Sequence, residues 1–413
     1  VLENIVLGAE RGRRLAGSLA QARAELGRLA RDYGFEVPLE ARVDELSVGL
    51  QQRVELLKAL YRRARILILD EPTAVLTPAE TTQLFRLLDR LRREGMSIVL
   101  VTHKLREIMA VTDRVTIMRQ GAKVGEDATA DTTERRLAEQ MIGRALREPT
   151  PRSPAPPGEI LLAVEGLAVR DAQGVVRVKD VSFELRAGEI VGVAGVAGNG
   201  QSELLEALAG LRPVERGEIR LRGRELVRER LDPRARRRLG LAHIPEDRLR
   251  LGVVAAYSAR DNTLLGRQDR PAFNRGVWLD RAAILADCAA KMAAYDVRPA
   301  QPRLRLAAFS GGNQQKLVLA REIDDAPDVL LVGQPTRGVD IGAIEFIHGR
   351  LLALRDAGKA LLLVSVELDE ILRLADRILV FAGGEIAGVL PRAAATEEQL
   401  GLLMAGVRAE GPA

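Results

Sequence analysis

The sequence predicts an α/β protein that contains two copies of one fold. Three apolar runs, ILIL, SIVLVT and KALLLVSV, have the length of buried strands. The tripeptide DEP at Asp70 recurs as GQP at Gly333, and LSVGLQQR at residues 46–53 recurs as FSGGNQQK at 309–316, both 263 positions later. A strand pattern, IVGVAG, runs into a glycine-rich turn and a helix pattern, ELLEALAG. These observations together predict the fold class.

The repeat sets the domain organisation. The offset continues without a gap, because Asp113 falls on Asp376 and Gly121 on Gly384. Agreement at so many positions in one frame indicates two copies of one fold. The segment REPTPRSPAPPGE contains five prolines and is typical of an extended linker. We predict a first domain at 1–146, a proline-rich linker at 147–159, a second domain at 160–408 and a tail at 409–413.

Composition limits the classes of function. The chain has 413 residues, of which 47% are hydrophobic, enough for two cores. It contains no run of about 18 apolar residues, so no membrane span is predicted. A single cysteine, Cys288, excludes a disulfide framework. The net charge of +5 comes from scattered arginines, and only 3% of the residues are aromatic, so no nucleic-acid partner is expected.

The glycine-rich turn GVAGNGQS, residues 195–202, has the G-x-x-x-x-G-K-[ST] spacing of a phosphate loop, with glutamine in place of the lysine. Glycines let backbone N–H groups converge on phosphate at a helix N-terminus. The turn predicts a P-loop NTPase domain, and the repeat extends this prediction to the first copy. The candidate nucleotide-binding residues are Gly195, Gly198, Asn199, Gly200, Gln201 and Ser202. The Ser202 hydroxyl is also a candidate ligand of Mg²⁺.

The first copy has no equivalent turn, because the positions 263 before residues 195–202 would precede Val1. A native start would carry methionine where Val1 stands, so we expect a truncated N-terminus and an incomplete first domain.

The order of these motifs resembles the ATP-binding subunit of an ABC transporter, of the tandem kind that energises nucleoside and simple-sugar import in bacteria. The resemblance rests on the two LSVGLQQR and FSGGNQQK signature segments, the strand before DEPT, His103 and the D-loop GVD. It covers nearly the whole chain. It implies ATP and Mg²⁺ as cofactors and two composite ATP sites, each between the phosphate loop of one domain and the signature loop of the other.

The resemblance implies catalytic residues in the first copy. Asp70 matches the residue that holds Mg²⁺ through water, and Glu71 matches the general base that orients the attacking water. His103 matches the switch histidine that contacts the γ-phosphate. The residues of the second copy that would complete this competent site are Ser310, Gly311, Gly312, Asn313 and the D-loop acid Asp340. Since the phosphate loop of this site is the missing one, the chain by itself is expected to show little or no ATPase activity.

The other site lacks these chemical groups. The family's lysine, aspartate, glutamate and histidine are replaced by Gln201, Gly333, Gln334 and Val366. Gln334 keeps the shape of glutamate but cannot accept a proton at neutral pH. The facing signature keeps Ser47 and Gly49 as candidate nucleotide contacts but has lost one glycine. In HIPEDR, Glu246 stands where the family has its Q-loop glutamine. We expect a degenerate site that does not hydrolyse ATP.

The resemblance implies an importer ATPase whose closure and reopening drive two polytopic membrane permease subunits, which receive solute from a solute-binding protein. Such a subunit lies peripherally at the cytoplasmic face of the inner membrane. The run GQPTRGVDIGAIEFIH with VSVELDEI is more similar to the nucleoside branch than to the sugar branches. A ribose, galactose or xylose importer stays the alternative.

Two other classes remain open. Soluble tandem ATPases of the ABC-F type act on ribosomes, but they generally keep both sites intact and have a long charged helical linker. A pure binding scaffold is disfavoured by the presence of Asp70, Glu71 and His103.

Overall fold

The computed structural model describes residues 1–9, 15–34, 37–46, 48–73, 78–102, 104–119, 121–143, 158–196, 198–339, 341–404 and 406. The chain divides into two compact units, Val1–Pro149 and Thr150–Ala413. Most of the predicted linker and the whole predicted tail at 409–413 lie outside the described residues, so the domain boundaries stay predictions. Across the described ranges, no helix combines the length and the apolar composition needed to cross a membrane.

The first unit consists of helices around two short pairs of strands. Its helices are α1 (Leu2–Val6), α2 (Leu15–Tyr33), α3 (Val48–Tyr61), α4 (Pro78–Arg93), α5 (Leu105–Val111) and α6 (Glu134–Ile142). Its strands are β1 (Ile66–Asp70), β2 (Ser97–Val101), β3 (Arg114–Arg119) and β4 (Ala122–Ala128). β1 pairs in parallel with β2, and β3 pairs with β4 in antiparallel fashion.

The described part of the second unit has a six-stranded sheet, a four-stranded sheet and a short two-stranded sheet, with helices packed around the two larger ones. Its helices are α7 (Gln201–Ala209), α8 (Pro233–Arg238), α9 (Ala259–Leu264), α10 (Arg281–Ala294), α11 (Gly311–Ile323), α12 (Ile341–Asp356), α13 (Leu368–Leu374) and α14 (Glu397–Met404). Its strands are β5 (Ile160–Arg170), β6 (Val176–Arg186), β7 (Ile190–Gly195), β8 (Arg216–Leu221), β9 (Arg224–Glu225), β10 (Leu241–Ile244), β11 (Asn274–Arg275), β12 (Trp278–Leu279), β13 (Val329–Gly333), β14 (Ala360–Ser365), β15 (Arg377–Ala382) and β16 (Glu385–Pro391).

The central sheet of the second unit has the strand order β10-β13-β14-β7-β15-β16. All its pairings are parallel except that of β15 with β16. Side chains alternate between its two faces, and both faces are buried. One face packs on α10, α11, α12 and α13, and the other on α7 and the antiparallel sheet β6-β5-β8-β9. The central strands β7, β13 and β14 are buried at every residue, as the sequence predicted for KALLLVSV.

The repeat is visible in the element boundaries. β1 and β13, α4 and α12, α5 and α13, and β3 and β15 each begin and end 263 positions apart. The secondary structure of the two copies therefore follows the register predicted from the sequence.

The prediction that ILIL and SIVLVT form buried strands is wrong for one face of β1 and β2. Ile66 and Ile68 are 63% and 69% exposed. The equivalent residues of the second unit, Val329 and Leu331, are fully buried because α7 and the antiparallel sheet cover them. The other face of β1 is covered by α4, against which Leu67 packs.

Candidate functional site

In the second unit, three of the predicted site segments follow the carboxyl ends of adjacent parallel strands. The turn at 195–202 follows β7, Val366 follows β14, and Gln334 follows β13. β14 lies between β7 and β13. Because the carboxyl ends of parallel strands meet at one edge of a sheet, the three segments share the edge where α/β proteins bind ligands.

The glycines of the turn are required by its backbone geometry. Gly198 and Gly200 have φ values of 89° and 103°, in the region that disfavours side chains. A Cβ at Gly200 would also lie 3.0 Å from the carbonyl carbon of Arg177. The Asn199 N–H donates to the Val196 carbonyl at 3.2 Å, and α7 begins at the next residue but one. The predicted strand, turn and helix are therefore present; Ala197 lies outside the described residues.

Gln201 occupies the lysine position of the phosphate loop and is 5% exposed. Its Nε2 donates to the Val196 carbonyl oxygen at 3.2 Å, so the side chain contacts the backbone of its own loop. The amide is neutral and brings no positive charge to this edge of the sheet.

Ser202, the candidate metal ligand, donates its hydroxyl hydrogen to Oε2 of Glu246. Glu246 follows β10, which pairs with β13. A Cβ at Gly333 would lie 2.6 Å from Glu246 Cγ and 2.8 Å from Glu246 N. The side chain of Glu246 therefore occupies the space that a side chain at Gly333 would need. Although glycine stands at the position aligned with Asp70, the carboxylate of Glu246 lies next to Ser202.

The Glu246 carboxyl is partly withdrawn from water. Burial raises its pKa above the ordinary value, and the hydrogen bond from Ser202 and the charge of Arg337 oppose this rise. Burial penalises the ionised form of a carboxyl group, because its hydration shell is lost.

In the first unit, the predicted general base has an unusual backbone conformation that its counterpart in the second unit shares. Glu71 and Gln334 both have a φ of 45°. The Glu71 N–H donates to the Val101 carbonyl at 2.8 Å, and the Gln334 N–H donates to the Val364 carbonyl at 2.8 Å. Oε1 of Gln334 accepts a hydrogen bond from the Val366 N–H at 3.3 Å. The two residues are placed alike and differ in side-chain chemistry.

Asp70 is the last residue of β1, and its side chain is exposed. An exposed carboxylate at a strand end suits Mg²⁺, which prefers hard oxygen ligands and keeps several of its waters. Across the part of the chain that the structure describes, no group of three or more histidine, cysteine, aspartate or glutamate side chains could hold a metal ion without further ligands.

The predicted signature loop of the second unit is an ordered helix start. Ser310 is the N-cap residue of α11, and its Oγ accepts a hydrogen bond from Asn313 Nδ2 at 2.8 Å. A Cβ at Gly311 would lie 2.5 Å from Nη2 of Arg248 and 3.1 Å from the Gly338 carbonyl oxygen. Gly312 is in the first turn of α11. A side chain at Gly311 would therefore displace the end of Arg248 and lie close to the Gly338 carbonyl.

Both signature helices are anchored in the same way. Gln314 Nε2 donates to the Leu306 and Phe309 carbonyls, both at 3.1 Å. In the first unit, Gln51 Nε2 donates to the equivalent carbonyls of Val43 and Leu46 at 3.1 and 3.0 Å. Gly49 is in the first turn of α3. The first signature has Val48 where the second has Gly311, and its glutamine still makes the same two hydrogen bonds.

Several predicted residues lie outside the described residues: Ser47, His103 and Asp340. Their roles, and the pairing of the Ser310 loop with Glu71 across the two units, stay predictions.

The sequence interpretation missed two residues that contact the site segments. Arg248 donates from Nη1 to the Arg337 carbonyl at 3.1 Å and lies against Gly311, which no local pattern indicated. Glu107, in α5, accepts hydrogen bonds from Thr73 and Thr102, which flank Glu71 and His103 in the sequence. Its alignment with Glu370 at the repeat offset was an available signal.

Comparison with known proteins relates this chain to one family. The family described as ABC transporter matches residues 2–74 and 178–337 of the chain. The nucleoside import ATP-binding protein NupA of Lactococcus lactis subsp. cremoris is 45% identical over 406 residues, which are 98% of this chain and 80% of the relative.

Two further relatives have similar coverage. The guanosine import ATP-binding protein NupO of Bacillus subtilis is 45% identical over 98% of this chain and 79% of its own length. The ribose import ATP-binding protein RbsA 1 of Rubrobacter xylanophilus is 41% identical over 99% of this chain and 80% of its own length.

Proposed function

The chain belongs to the ABC transporter family, among the ATP-binding proteins of nucleoside and simple-sugar import, and on this premise we propose that it energises a nucleoside importer with one hydrolytic and one degenerate ATP site. The proposal assigns hydrolysis to the acids of the first unit and assigns no hydrolysis to the glycine-rich turn of the second.

The observation that carries this division is the matched backbone of Glu71 and Gln334. Their φ values agree, and their N–H groups bond to equivalent carbonyls at the same distance. The two copies therefore carry different side chains, a carboxylate and an amide, on the same backbone geometry. The glutamate can accept a proton from an attacking water, whereas the amide cannot at neutral pH. Hydrolysis is accordingly assigned to the copy that carries Glu71.

The other roles follow from the same asymmetry. Asp70 would hold Mg²⁺ through water, and the metal when bound would neutralise charge on the phosphates. Gln201 bonds to its own loop and offers no cation, and Gly333 offers no carboxylate. In the second unit, the glycine turn and Ser202 would bind nucleotide without cleaving it. His103, Ser310 and Asp340 complete the hydrolytic site in this proposal.

Nucleoside is the proposed solute class. The two relatives named for nucleoside and guanosine import are 45% identical over 98% of this chain, whereas a glucose import ATP-binding protein of Haloferax volcanii is 46% identical over 92% of it and the ribose relative is 41% identical. The run GQPTRGVDIGAIEFIH supports the same branch. Simple-sugar import remains the alternative within this proposal.

The partners follow from the proposed transport role. The protein would act peripherally at the cytoplasmic face of the membrane, bound to two permease subunits that receive solute from a solute-binding protein. ATP binding would close the pair of ATPase domains, and hydrolysis would reopen it.

A single-turnover experiment tests the division of labour. In the full-length protein assembled with its membrane partners, the ATP hydrolysed per tandem chain is counted for wild type and for Glu71→Gln. We expect one ATP per chain in wild type and a rate lower by about 10²- to 10⁴-fold in the variant, the usual weight of a positioned general base. Two ATP per chain, or near-normal hydrolysis in Glu71→Gln, would contradict the proposal.

A further inference from the structure

Both copies bury a glutamate at the same position of the helix that follows the second strand of the repeat. Glu107 in α5 is 6% exposed, and Glu370 in α13, 263 positions later, is 5% exposed. A carboxylate is costly to bury unless hydrogen bonds compensate for its lost hydration. The hydrogen-bond partners of each glutamate therefore identify the segments that its carboxylate connects.

In the first unit, both oxygens of Glu107 bind hydroxyl groups. Oε1 accepts from Thr73 Oγ1, and Oε2 accepts from Thr102 Oγ1 at 3.3 Å. Thr102 Oγ1 in turn accepts from the Lys104 N–H at 3.0 Å. Thr73 lies two residues after Glu71, and Thr102 immediately precedes His103. Glu107 therefore connects the segment that carries the proposed general base to the segment that carries the proposed switch histidine.

In the second unit, the equivalent carboxylate is bound elsewhere. Oε1 of Glu370 pairs with Nε2 of His348 at 2.8 Å. Its Oε2 has no hydrogen-bond partner among the described residues, although Thr336 and Ser365 stand at the positions of Thr73 and Thr102. In the described part of the second unit, Glu370 therefore does not connect the segments of Thr336 and Ser365.

The two copies differ at the position that supplies the histidine bound to Glu370. His348 in α12 corresponds to Phe85 in α4. The ring of Phe85 has no polar atom, so it cannot offer Glu107 the hydrogen bond that His348 offers Glu370. The imidazole of His348, 5% exposed, supplies a charged or neutral donor that takes the carboxylate of Glu370.

We propose that Glu107 is a positioning residue for ATP hydrolysis, which acts through Thr73 and Thr102 to hold the segments of Glu71 and His103 in register. The inference rests on the proposed assignment of hydrolysis to the Glu71 copy. The hydrogen bond from the Glu71 N–H to Val101 joins the same two segments through the backbone. Glu107 adds a second connection, through side chains, between Thr73, two residues after Glu71, and Thr102.

The matched pair Glu107→Leu and Glu370→Leu tests the proposal in the protein assembled with its membrane partners. Both changes replace a buried carboxylate by an apolar side chain of similar size at equivalent positions. We expect kcat for ATP hydrolysis to fall by about 10- to 100-fold in Glu107→Leu, since small displacements of reacting groups have effects of this order. KM for ATP should stay within about twofold, because the proposal gives Glu107 no contact of its own with nucleotide. Glu370→Leu should leave both constants within about twofold.

A second set of variants separates positioning from folding. Thr73→Val removes the hydroxyl and should lower kcat, whereas Thr73→Ser retains it and should restore kcat to near the wild-type value. In the double variant Glu107→Leu with Thr73→Val, kcat should be no lower than in the poorer single variant, since both remove the same link. Should the leucine variant fail to fold, Phe85→His offers Glu107 the competing donor found in the second unit and should lower kcat in the same way.

Melting temperatures of all variants are measured in parallel. Equal losses of thermal stability in Glu107→Leu and Glu370→Leu, with wild-type kcat per folded molecule in both, would overturn the inference. If Glu71→Gln abolishes hydrolysis while Glu107→Leu does not affect kcat, this inference alone fails. If Glu71→Gln itself leaves hydrolysis intact, the proposed function fails.

Discussion

Glu71 and Gln334 have the same backbone geometry, with a φ of 45° at each and an N–H bond of 2.8 Å to the equivalent strand carbonyl. A non-glycine residue in this region of φ is uncommon and is held there by its surroundings. Both units therefore keep the conformation that aims this side chain out of the strand end, while only one unit keeps the carboxylate. The second unit has a glutamine where the first has the acid, in the same backbone conformation.

The first prediction is that Gln334→Glu restores no hydrolysis. The variant places a carboxylate in the correct backbone conformation, but its surroundings still lack a phosphate-loop lysine, because Gln201 stands there, and an acid at Gly333. Groups that act as a unit do not contribute additively, so the rate should stay within about twofold of wild type. Single-turnover hydrolysis in the assembled transporter measures this, and a second ATP per chain would disprove it.

The second prediction is that Gly333→Ala destabilises the protein. The new Cβ would lie 2.6 Å from Glu246 Cγ, 2.8 Å from Glu246 N and 2.9 Å from Leu205 Cδ1, so backbone and side chain must both shift. Overpacking of this kind costs about 1–3 kcal/mol. Gly349→Ala is the control, because Gly349 lies in α12 with no atom within 4 Å of its added Cβ. It should be neutral or stabilising by up to about 1 kcal/mol. Thermal unfolding of both variants tests this prediction. Equal melting temperatures for Gly333→Ala and Gly349→Ala would contradict it.

The third prediction concerns Glu246 and pH. Burial raises the pKa of this carboxyl in the folded protein, so the ionised form is penalised relative to the unfolded chain. The penalty is present at a pH above the raised pKa and disappears as the pH falls below both pKa values, because the group is then neutral in both states.

Glu246→Gln removes this charge. At pH 7.5 the variant should therefore be as stable as wild type or more stable, and its advantage should shrink at pH 5. Melting temperatures at the two pH values test the sign. Glu203→Gln changes a neighbouring carboxylate on α7 and serves as the control. A variant that is less stable at pH 7.5 and gains relative to wild type on acidification would show that the ionised carboxylate is favoured.

The fourth prediction concerns the solute. Deletion of the gene should reduce uptake of labelled purine or pyrimidine nucleosides and leave ribose and galactose uptake near normal. Complementation with wild type should restore nucleoside uptake, and complementation with Glu71→Gln should not. Selective loss of monosaccharide uptake would assign the protein to the sugar branch and leave the hydrolytic asymmetry untouched.

The sequence by itself determined the repeat, its register and the chemical asymmetry of the two copies. These are local properties: each motif is a short run, and the constant offset of 263 positions aligns DEP with GQP without any knowledge of packing. The alternation of strand and helix patterns likewise predicted the α/β class, because the periodicity of apolar residues reflects which face of each element is buried. The boundaries of α5 and α13 then follow the same offset.

Only the tertiary structure decided which side chains take the place of the missing ones. Glu246 occupies the space beside Gly333, 87 positions away, and Ser202 binds it from the first turn of α7. Glu107 joins two strand ends, whereas Glu370 is held by His348. Such contacts join residues distant in sequence, and their choice depends on which donor lies nearest once the sheet and helices have packed. A repeat in the sequence fixes equivalent positions, but it does not fix equivalent hydrogen bonds, because a single change of neighbour redirects a buried carboxylate.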